Sequence, residues 1–380
     1  MAKQLVADEL IEQAQKATGL EKFDSDSFRE GLDILLGDYN ASGASANERL
    51  AGQIHMCLSN RLKVTDYLAK NPELLDRPIE KPVFVFGIPR TGTTLLSNLL
   101  ATDPARHSPL TWEIDEPGPP ATSETLYTDP RALGRLEMEK KMLAAMPEMG
   151  KFYRSSAIYP NEDVYIMAHD FKTLMWESRG KCPNYRDWLL STGMTSAYEY
   201  HKKYLQVLQH HAGGTWNLKM PSHSLWLETL LKVYPDARLI WTHRDPLTAT
   251  GSFCGIISQG HGSVGEVDTD YIGKNCLFQA SEHAKRIMDF RDKFGEDQVV
   301  DVQYSELMGS PIDTMRKLYA GLGDDFTEGA QQGMQSWLDD NPQNKFGKHE
   351  YKLDQYGLTT GQVRDAFEPY SNRYTVESEG

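Results

Sequence analysis

The chain has 380 residues, 39% hydrophobic and 25% charged, a balance typical of a soluble globular protein with one large or two ordinary domains. Its formal net charge of −14 argues against general binding to nucleic acids and against binding to anionic membrane surfaces. No apolar run approaches the roughly 18 to 20 residues needed to span a bilayer, and the first residues lack an apolar signal core. The sequence therefore predicts a cytoplasmic protein in which any anion binds at a focused site.

The first part of the chain predicts an α-helical N-terminal extension. Apolar residues recur at helical spacing over residues 3–18, 26–37 and 44–70. We therefore assign residues 1–75 to this extension and residues 76–380 to a single α/β domain.

Four short segments rich in apolar, β-branched and aromatic residues predict buried strands. They are PVFVFGI at 82–88, TWNLKM at 215–220, ARLIWTH at 237–243 and QVVDVQY at 298–304. Helical patterns separate them, and this alternation predicts a doubly wound parallel sheet with helices on both faces.

Residues 115–212 have a helical pattern, broken by the segments EPGPP and KCPNYRD, without a strong strand signal. This pattern predicts a helical cap inserted into the α/β domain. Aromatic residues are concentrated within residues 151–200. They fit either packing among the cap helices or a flat apolar acceptor pocket.

The segment GIPRTGTT at 87–94 follows the first strand and precedes a run of helix formers. Its two glycines have the spacing of a nucleoside-triphosphatase phosphate loop, but Thr93 stands where that loop has its lysine. Backbone N–H groups and the positive end of a helix dipole favour a phosphate there. Without the lysine, the loop predicts a metal-free site for one terminal phosphate rather than ATP hydrolysis. The side chains that would bind this phosphate are Arg90, Thr91, Thr93 and Thr94.

A second anion anchor follows the third predicted strand. Arg244 stands at the carboxyl end of that strand, and Asp245 with Pro246 has the composition of a helix start. Ser252 lies about two helical turns further on. Because ligands of open parallel sheets bind at the carboxyl ends of strands, Arg244 and Arg90 are predicted to face one crevice. Two such anchors predict a nucleotide phosphorylated at both ends.

With these two anchors the chain resembles the sulfotransferases that use 3′-phosphoadenosine 5′-phosphosulfate (PAPS). GIPRTGTT matches their 5′-phosphosulfate loop, and Arg244 with Ser252 matches their 3′-phosphate motif in residue type and spacing. The resemblance covers residues 80–350, approximately. The arginine of the loop is closer to tyrosylprotein sulfotransferases and bacterial members than to the cytosolic phenol and steroid enzymes, and Leu95 replaces the tryptophan that stacks on adenine in the latter.

The resemblance implies PAPS as the co-substrate, no metal, and a small-molecule acceptor whose hydroxyl, for example a phenol, receives the sulfuryl group. The residues implied to hold the 5′-phosphosulfate are Arg90, Thr91, Gly92, Thr93 and Thr94. Arg244 and Ser252 would hold the 3′-phosphate. A late basic loop contributes to this phosphate in many family members, and Lys345, Lys348 or His349 could supply it here. A solvated basic loop is the alternative.

Sulfuryl transfer also needs a base for the acceptor proton and cations for charge on the bridging oxygen. The resemblance implies Lys219, at a strand end, and Arg90 as these cations. Glu113 is our first choice for the base, because related enzymes have a glutamate at this distance from the loop. The alternative is His223, which follows Lys219 by four residues where the cytosolic enzymes have a gap of two.

Two other classes of protein remain as alternatives. A P-loop kinase or NTPase would need a lysine at position 93 and a metal-binding aspartate after a strand, for which Asp301 is a weak candidate. A nucleotide-binding protein without catalytic activity could retain both phosphate anchors. The sequence does not encode the acceptor or the oligomeric state, since loops and cap residues determine the former.

Overall fold

The structure is a computed structural model, and it describes residues 4–44, 47–145, 156–342 and 352–379. The helices of these residues are α1 (Ala7–Thr18), α2 (Arg29–Ser42), α3 (Glu48–Lys70), α4 (Thr93–Ala101), α5 (Thr111–Asp115), α6 (Pro130–Ala145), α7 (Val164–Met167), α8 (Pro183–Ser191), α9 (Thr195–Leu208), α10 (Leu227–Val233), α11 (Pro246–Gly262), α12 (Thr269–Phe294), α13 (Tyr304–Gly309), α14 (Pro311–Leu322), α15 (Glu328–Asp340) and α16 (Thr360–Tyr374).

The chain divides into two compact units. The first contains Met1–Ile79, Pro109–Gly213 and Gly260–Glu266, and the second contains Glu80–Ser108, Gly214–Gln259 and Val267–Gly380. The N-terminal helices thus group with the predicted cap segment. The domain boundaries that we placed at residues 75, 115 and 212 stay a prediction.

The second unit is built on a five-stranded parallel sheet, which confirms the predicted α/β class. The strands are β1 (Val83–Gly87), β2 (Arg106–His107), β3 (Thr215–Lys219), β4 (Arg238–His243) and β5 (Val299–Gln303). Their order is β2-β3-β1-β4-β5, and every neighbouring pair is parallel. Strand β2 was not predicted, because two residues are too short to show a hydrophobic period.

Both faces of this sheet are covered, which explains why β1 is apolar at every position. Alternate side chains of a strand point to opposite faces. Val83 and Val85 pack in a cluster with side chains from α4, α13, α14 and α15. Phe84 contacts Tyr234 with ring centroids 5.3 Å apart, and both rings are buried. Burial of such rings removes roughly 150 to 250 Å² each from water and dominates the stability of the layer.

The register of the strands brings the predicted site residues to one edge of the sheet. Val85 of β1 is paired with Lys219 of β3, and Gly87 at the end of β1 is paired with Thr242 of β4. The carboxyl ends of the three central strands therefore lie side by side. This is the edge where ligands of open parallel sheets bind.

The first unit is helical and has a buried charged centre. Arg61 of α3 is completely buried and forms ion pairs of 2.8 Å with both Asp24 and Asp170. Its guanidinium also lies over the ring of Tyr200, 4.4 Å from the centroid. A buried arginine needs such partners, since an unpaired charge in the interior is strongly destabilising.

Many aromatic residues of the 156–200 region pack inside this unit. Trp176, Tyr185, Tyr198 and Tyr200 are buried, and Trp176 stacks on Phe171 at a centroid distance of 5.4 Å. Phe152 and Tyr153, which belong to the same aromatic region of the sequence, lie outside the described residues. Within the described ranges, no helix combines the length and the hydropathy needed to cross a membrane.

Candidate active site

The predicted phosphate loop connects β1 to α4 in the second unit. Arg90 and Gly92 both have left-handed backbones, with φ of 75° and 95°. A Cβ atom on Gly92 would lie 2.8 Å from Cδ2 of Tyr304, so only glycine fits there without displacing the ring. Helix α4 begins directly after it, at Thr93, and its first N–H groups have no partners within the helix. The loop therefore has the backbone arrangement of an anion site.

The side chain of Thr91 holds this loop against β4. Its hydroxyl donates to the carbonyl oxygen of Ile88 at 2.8 Å and lies 2.6 Å from Oγ1 of Thr242. Thr91 is completely buried, Thr93 is nearly so, and Thr94 is exposed. Of the three threonines, Thr94 thus has the most accessible hydroxyl, and the Thr91 hydroxyl is used within the loop itself.

The two predicted phosphate anchors are in direct contact. Nε of Arg90 donates to Oγ of Ser252 on α11 at 3.0 Å. Nη1 of Arg244 donates to the carbonyl oxygen of Arg90 at 3.2 Å. The structure thus brings together one residue of the first motif and both residues of the second.

Arg244 lies between an aromatic ring and a carboxylate. Its guanidinium carbon is 4.0 Å from the ring centroid of Tyr304, and Nε and Nη2 bind the carboxylate of Glu379. Burial acts to lower the pKa of Arg244, but the hydrogen bonds to Glu379 and the surrounding negative charges outweigh it, and the pKa is raised. Asp245 accepts the N–H of Leu247 at 3.0 Å, as a residue before a helix start does.

Lys219 lies at the carboxyl end of β3 and is buried. Its Nζ is 3.4 Å from Oγ1 of Thr94, at the start of α4. The ammonium group is thus directed to the same loop as Arg90. Lys219 and Arg90 thus both lie at the predicted phosphate loop, and cations so placed can neutralise charge that develops on an anion.

His223 lies in the short 3₁₀ turn Pro221–Leu225 that follows β3. The residue is completely buried. Its ring packs edge-on against Phe84 of β1, with centroids 4.9 Å apart. This contact ties the turn to the apolar face of the sheet.

Glu113 belongs to the first unit, where it is buried in α5. Its Oε2 accepts the N–H of Leu110 at 3.0 Å, which satisfies an amide at the start of this helix. The Tyr204 hydroxyl donates to the Glu113 carbonyl oxygen at 3.1 Å. Burial raises the pKa of the half-exposed Tyr127, and the negative charge of Glu113 adds to the increase. The carboxylate therefore acts electrostatically on a phenol that reaches solvent.

Asp301, the metal-binding candidate of the kinase alternative, has protein partners instead. One carboxylate oxygen lies 2.7 Å from Nε2 of His243, and Arg291 donates to both oxygens at 2.8 Å and 2.9 Å. Burial alone would raise the pKa of Asp301, but these partners lower it below its ordinary value. The aspartate therefore has a structural role in joining β5 to β4 and α12. Lys345, Lys348 and His349, the candidates for the late basic loop, lie outside the described residues.

Three residues of this region were not predicted from the sequence: Thr242, Tyr304 and Glu379. The first two lie at the carboxyl ends of β4 and β5, where the topology of a parallel sheet could have indicated them. Glu379 follows α16 in a segment without any motif. Its contact with Arg244 spans 135 residues, and no local pattern indicates it.

Comparisons with known proteins agree with one another. A sequence model described as the sulfotransferase family matches residues 82–328. The crystal structure of sulfotransferase STF9 from Mycobacterium avium is 40% identical, with a TM-score of 0.92 over 99% of this chain and 98% of that chain. The crystal structure of sulfotransferase STF1 from Mycobacterium tuberculosis is 28% identical, with a TM-score of 0.85 over 97% of this chain and 100% of that chain. The omega-hydroxy-beta-dihydromenaquinone-9 sulfotransferase Stf3 of Mycobacterium bovis is 24% identical over 78% of this chain and 77% of its own.

Proposed function

The chain belongs to the sulfotransferase family, and from this premise we propose that it transfers the sulfuryl group of PAPS to a hydroxyl of a small molecule. The observation that carries the choice of donor is the contact between the two anchors, Arg90 with Ser252 and Arg244 with Arg90. A nucleotide that has a phosphate at each end fits two linked anchors better than a triphosphate does. A cytoplasmic location stays a prediction.

The chain's own groups divide between the two ends of this nucleotide. The guanidinium of Arg90, the N–H groups at the start of α4 and the Thr94 hydroxyl bind the 5′-phosphosulfate. Thr91 contributes through its backbone, because its hydroxyl is bonded to Ile88 and Thr242. Arg244 and Ser252 bind the 3′-phosphate.

The reaction is an in-line displacement at sulfur. The acceptor oxygen forms a bond to sulfur while the bond between sulfur and the bridging phosphate oxygen breaks. The acceptor proton goes to the base, and the bridging oxygen keeps the electron pair. Lys219 and Arg90 neutralise the negative charge on that oxygen, and such preorganised cations typically contribute about 10²-fold to 10³-fold to the rate.

We assign the base to Glu113 rather than to His223. The charge of Glu113 acts on the half-exposed phenol Tyr127, so the carboxylate influences a group that reaches solvent. The ring of His223 instead packs on the buried Phe84. A base must come within hydrogen-bond reach of the acceptor hydroxyl. Both residues are buried, so the choice rests on the phenol beside Glu113 and on the glutamate that related enzymes have at this distance from the loop.

Our proposal for the acceptor class is supported by a relative. The Mycobacterium bovis relative is named for a hydroxylated dihydromenaquinone as its acceptor. At 24% identity we carry over only a hydroxyl-bearing small molecule, with phenols and aliphatic alcohols as the two classes to compare.

Calorimetry with two nucleotides tests the donor. We expect adenosine 3′,5′-bisphosphate to bind and ATP to bind at least tenfold more weakly, which corresponds to about 1.4 kcal/mol. Absence of binding by the bisphosphate would reject PAPS as the donor. An assay with labelled PAPS and a panel of phenols, alcohols and amines then identifies the acceptor class, and transfer to amines alone would contradict a hydroxyl acceptor.

A further inference from the structure

Arg244 and Glu379 form an ion pair with two parallel hydrogen bonds. Nε and Nη2 of Arg244 lie 2.6 Å and 2.8 Å from the two carboxylate oxygens of Glu379. Arginine recognises both carboxylates and phosphates through such paired N–H donors. The carboxylate of Glu379 therefore occupies the two N–H donors of Arg244 that are suited to bind a phosphate.

The other contacts of Arg244 fix the plane and direction of its guanidinium. One face lies on the ring of Tyr304, at 4.0 Å, and Nη1 donates to the carbonyl oxygen of Arg90. The edge formed by Nε and Nη2 thus has a set orientation. An anion that binds there meets a preorganised donor pair.

The backbone of Glu379 is bound next to its side chain. Thr375 has a left-handed conformation with φ of 48° and ends α16, and residues 376–379 follow it. The N–H of Glu379 donates to Oδ2 of Asp245 at 2.9 Å. Residues 375–379, which we call the return segment, thus hold Glu379 against both Arg244 and Asp245.

Helix α16, which precedes the return segment, is attached to the carboxyl end of β4, directly before Arg244. The Tyr370 hydroxyl lies 3.1 Å from Nδ1 of His243, and the two rings stack with centroids 5.7 Å apart. Tyr370 is buried, whereas the return segment is mostly exposed. The return segment thus lies at the surface, whereas α16 is held by a buried residue.

We propose that Glu379 is a built-in competitor for the 3′-phosphate at Arg244, an inference that rests on the proposed function. A phosphate that takes the Nε and Nη2 donors must displace the carboxylate, since two anions at one guanidinium repel each other. A nucleotide without a 3′-phosphate leaves the ion pair intact. The return segment thus weakens binding of the bisphosphate product and rebinds Arg244 as that product leaves.

Calorimetry on Glu379→Gln tests the competition. The matched control is Glu377→Gln, which removes the same charge from an exposed position in the same segment. We expect adenosine 3′,5′-bisphosphate to bind Glu379→Gln about threefold to tenfold more tightly than it binds the wild type. Adenosine 5′-monophosphate should bind all three proteins equally.

Each outcome has a distinct meaning. Equal or weaker bisphosphate binding by Glu379→Gln would overturn the competition while the proposed function stands. A similar gain in Glu377→Gln would also overturn it, because the effect would then come from net charge. Failure of the bisphosphate to bind both the wild type and Glu379→Gln would reject the proposed function, and the competition with it.

Hydrogen exchange of the wild type gives a second measurement that does not depend on affinity. The amide of Glu379 is bonded to Asp245 and should exchange faster when the bisphosphate is bound, but not when the monophosphate is bound. Unchanged or slower exchange of this amide with saturating bisphosphate would show that the segment stays on Arg244, and would overturn the proposal.

Discussion

Nε of Arg90 lies 3.0 Å from Oγ of Ser252, although 162 residues separate the two in sequence. Arg90 has a left-handed backbone, which costs a residue other than glycine roughly 1 to 3 kcal/mol. Ser252 is nearly buried, on the first half of α11. The serine is therefore a direct hydrogen-bond partner of the arginine in the predicted 5′-phosphosulfate loop, in addition to its proposed contact with the 3′-phosphate.

Ser252→Ala is expected to weaken binding of adenosine 3′,5′-bisphosphate about tenfold. The variant removes a hydrogen bond to a charged group, which is worth about 1.5 to 3 kcal/mol, and part of this is recovered by water. Calorimetry measures the affinity. Ser281→Ala, whose hydroxyl bonds only within α12 to Phe278, is the control and should bind like the wild type.

A double-mutant cycle with Arg90→Ala separates positioning from direct contact. If Ser252 acts partly through Arg90, the two losses in binding free energy fail to add by at least about 0.5 kcal/mol. Strict additivity would mean that the serine contributes only its own contact with the nucleotide.

Gly92→Ala is expected to destabilise the second unit and to weaken nucleotide binding. Alanine would have to adopt a φ of 95°, and its Cβ would lie 2.8 Å from the Tyr304 ring. We expect the free energy of unfolding to fall by about 1 to 3 kcal/mol in urea titrations. Gly52→Ala in α3, where a Cβ meets nothing within 4 Å, should instead be neutral or stabilising. Equal stability of the two variants would contradict the assigned strain.

The sequence predicted what depends on local pattern. Continuous apolar segments indicated four of the five strands, and the turn composition around Gly92 and Arg244 indicated two anion anchors at the edge of a parallel sheet. The sequence did not predict which groups each of these side chains would contact, because such contacts depend on the tertiary structure. Thr91 was predicted to contact phosphate, yet its hydroxyl is bonded to Ile88 and Thr242, and nothing in the local pattern indicates the distant Glu379.

His283 of α12 is expected to make the protein less stable as the pH falls below neutral. It is buried, its Nδ1 lies 2.6 Å from the Ser224 hydroxyl, and burial lowers its pKa to about 3. The unfolded chain, with a histidine pKa near ~6.5, takes up a proton that the folded protein does not. Stability present above pH ~6.5 is therefore lost as the pH falls toward 3, by up to about 1.4 kcal/mol per unit.

Comparison with His283→Gln isolates this contribution. The variant loses packing at every pH, but it has no group that titrates at this position. Its deficit in unfolding free energy should therefore shrink by about 1.4 kcal/mol between pH 7.5 and pH 5.5. Urea titrations at the two pH values measure it, and a constant deficit would show that the folded protein also protonates His283.

Glu113→Gln is expected to lower kcat for sulfuryl transfer by about 10²-fold to 10⁴-fold, because glutamine cannot accept the acceptor proton. The amide oxygen can still accept the N–H of Leu110, so the start of α5 and the affinity for adenosine 3′,5′-bisphosphate should be preserved. Glu116→Gln, at the exposed end of the same helix, is the control and should retain full activity.

His223→Gln decides between the two bases in the same assay. The variant loses the edge-on contact with Phe84, so its stability is measured alongside its activity. If Glu113 is the base, the folded fraction of His223→Gln keeps a kcat within about tenfold of the wild type, since it retains the proton acceptor. Full activity in Glu113→Gln together with a collapse of kcat in folded His223→Gln would move the role of base to the histidine.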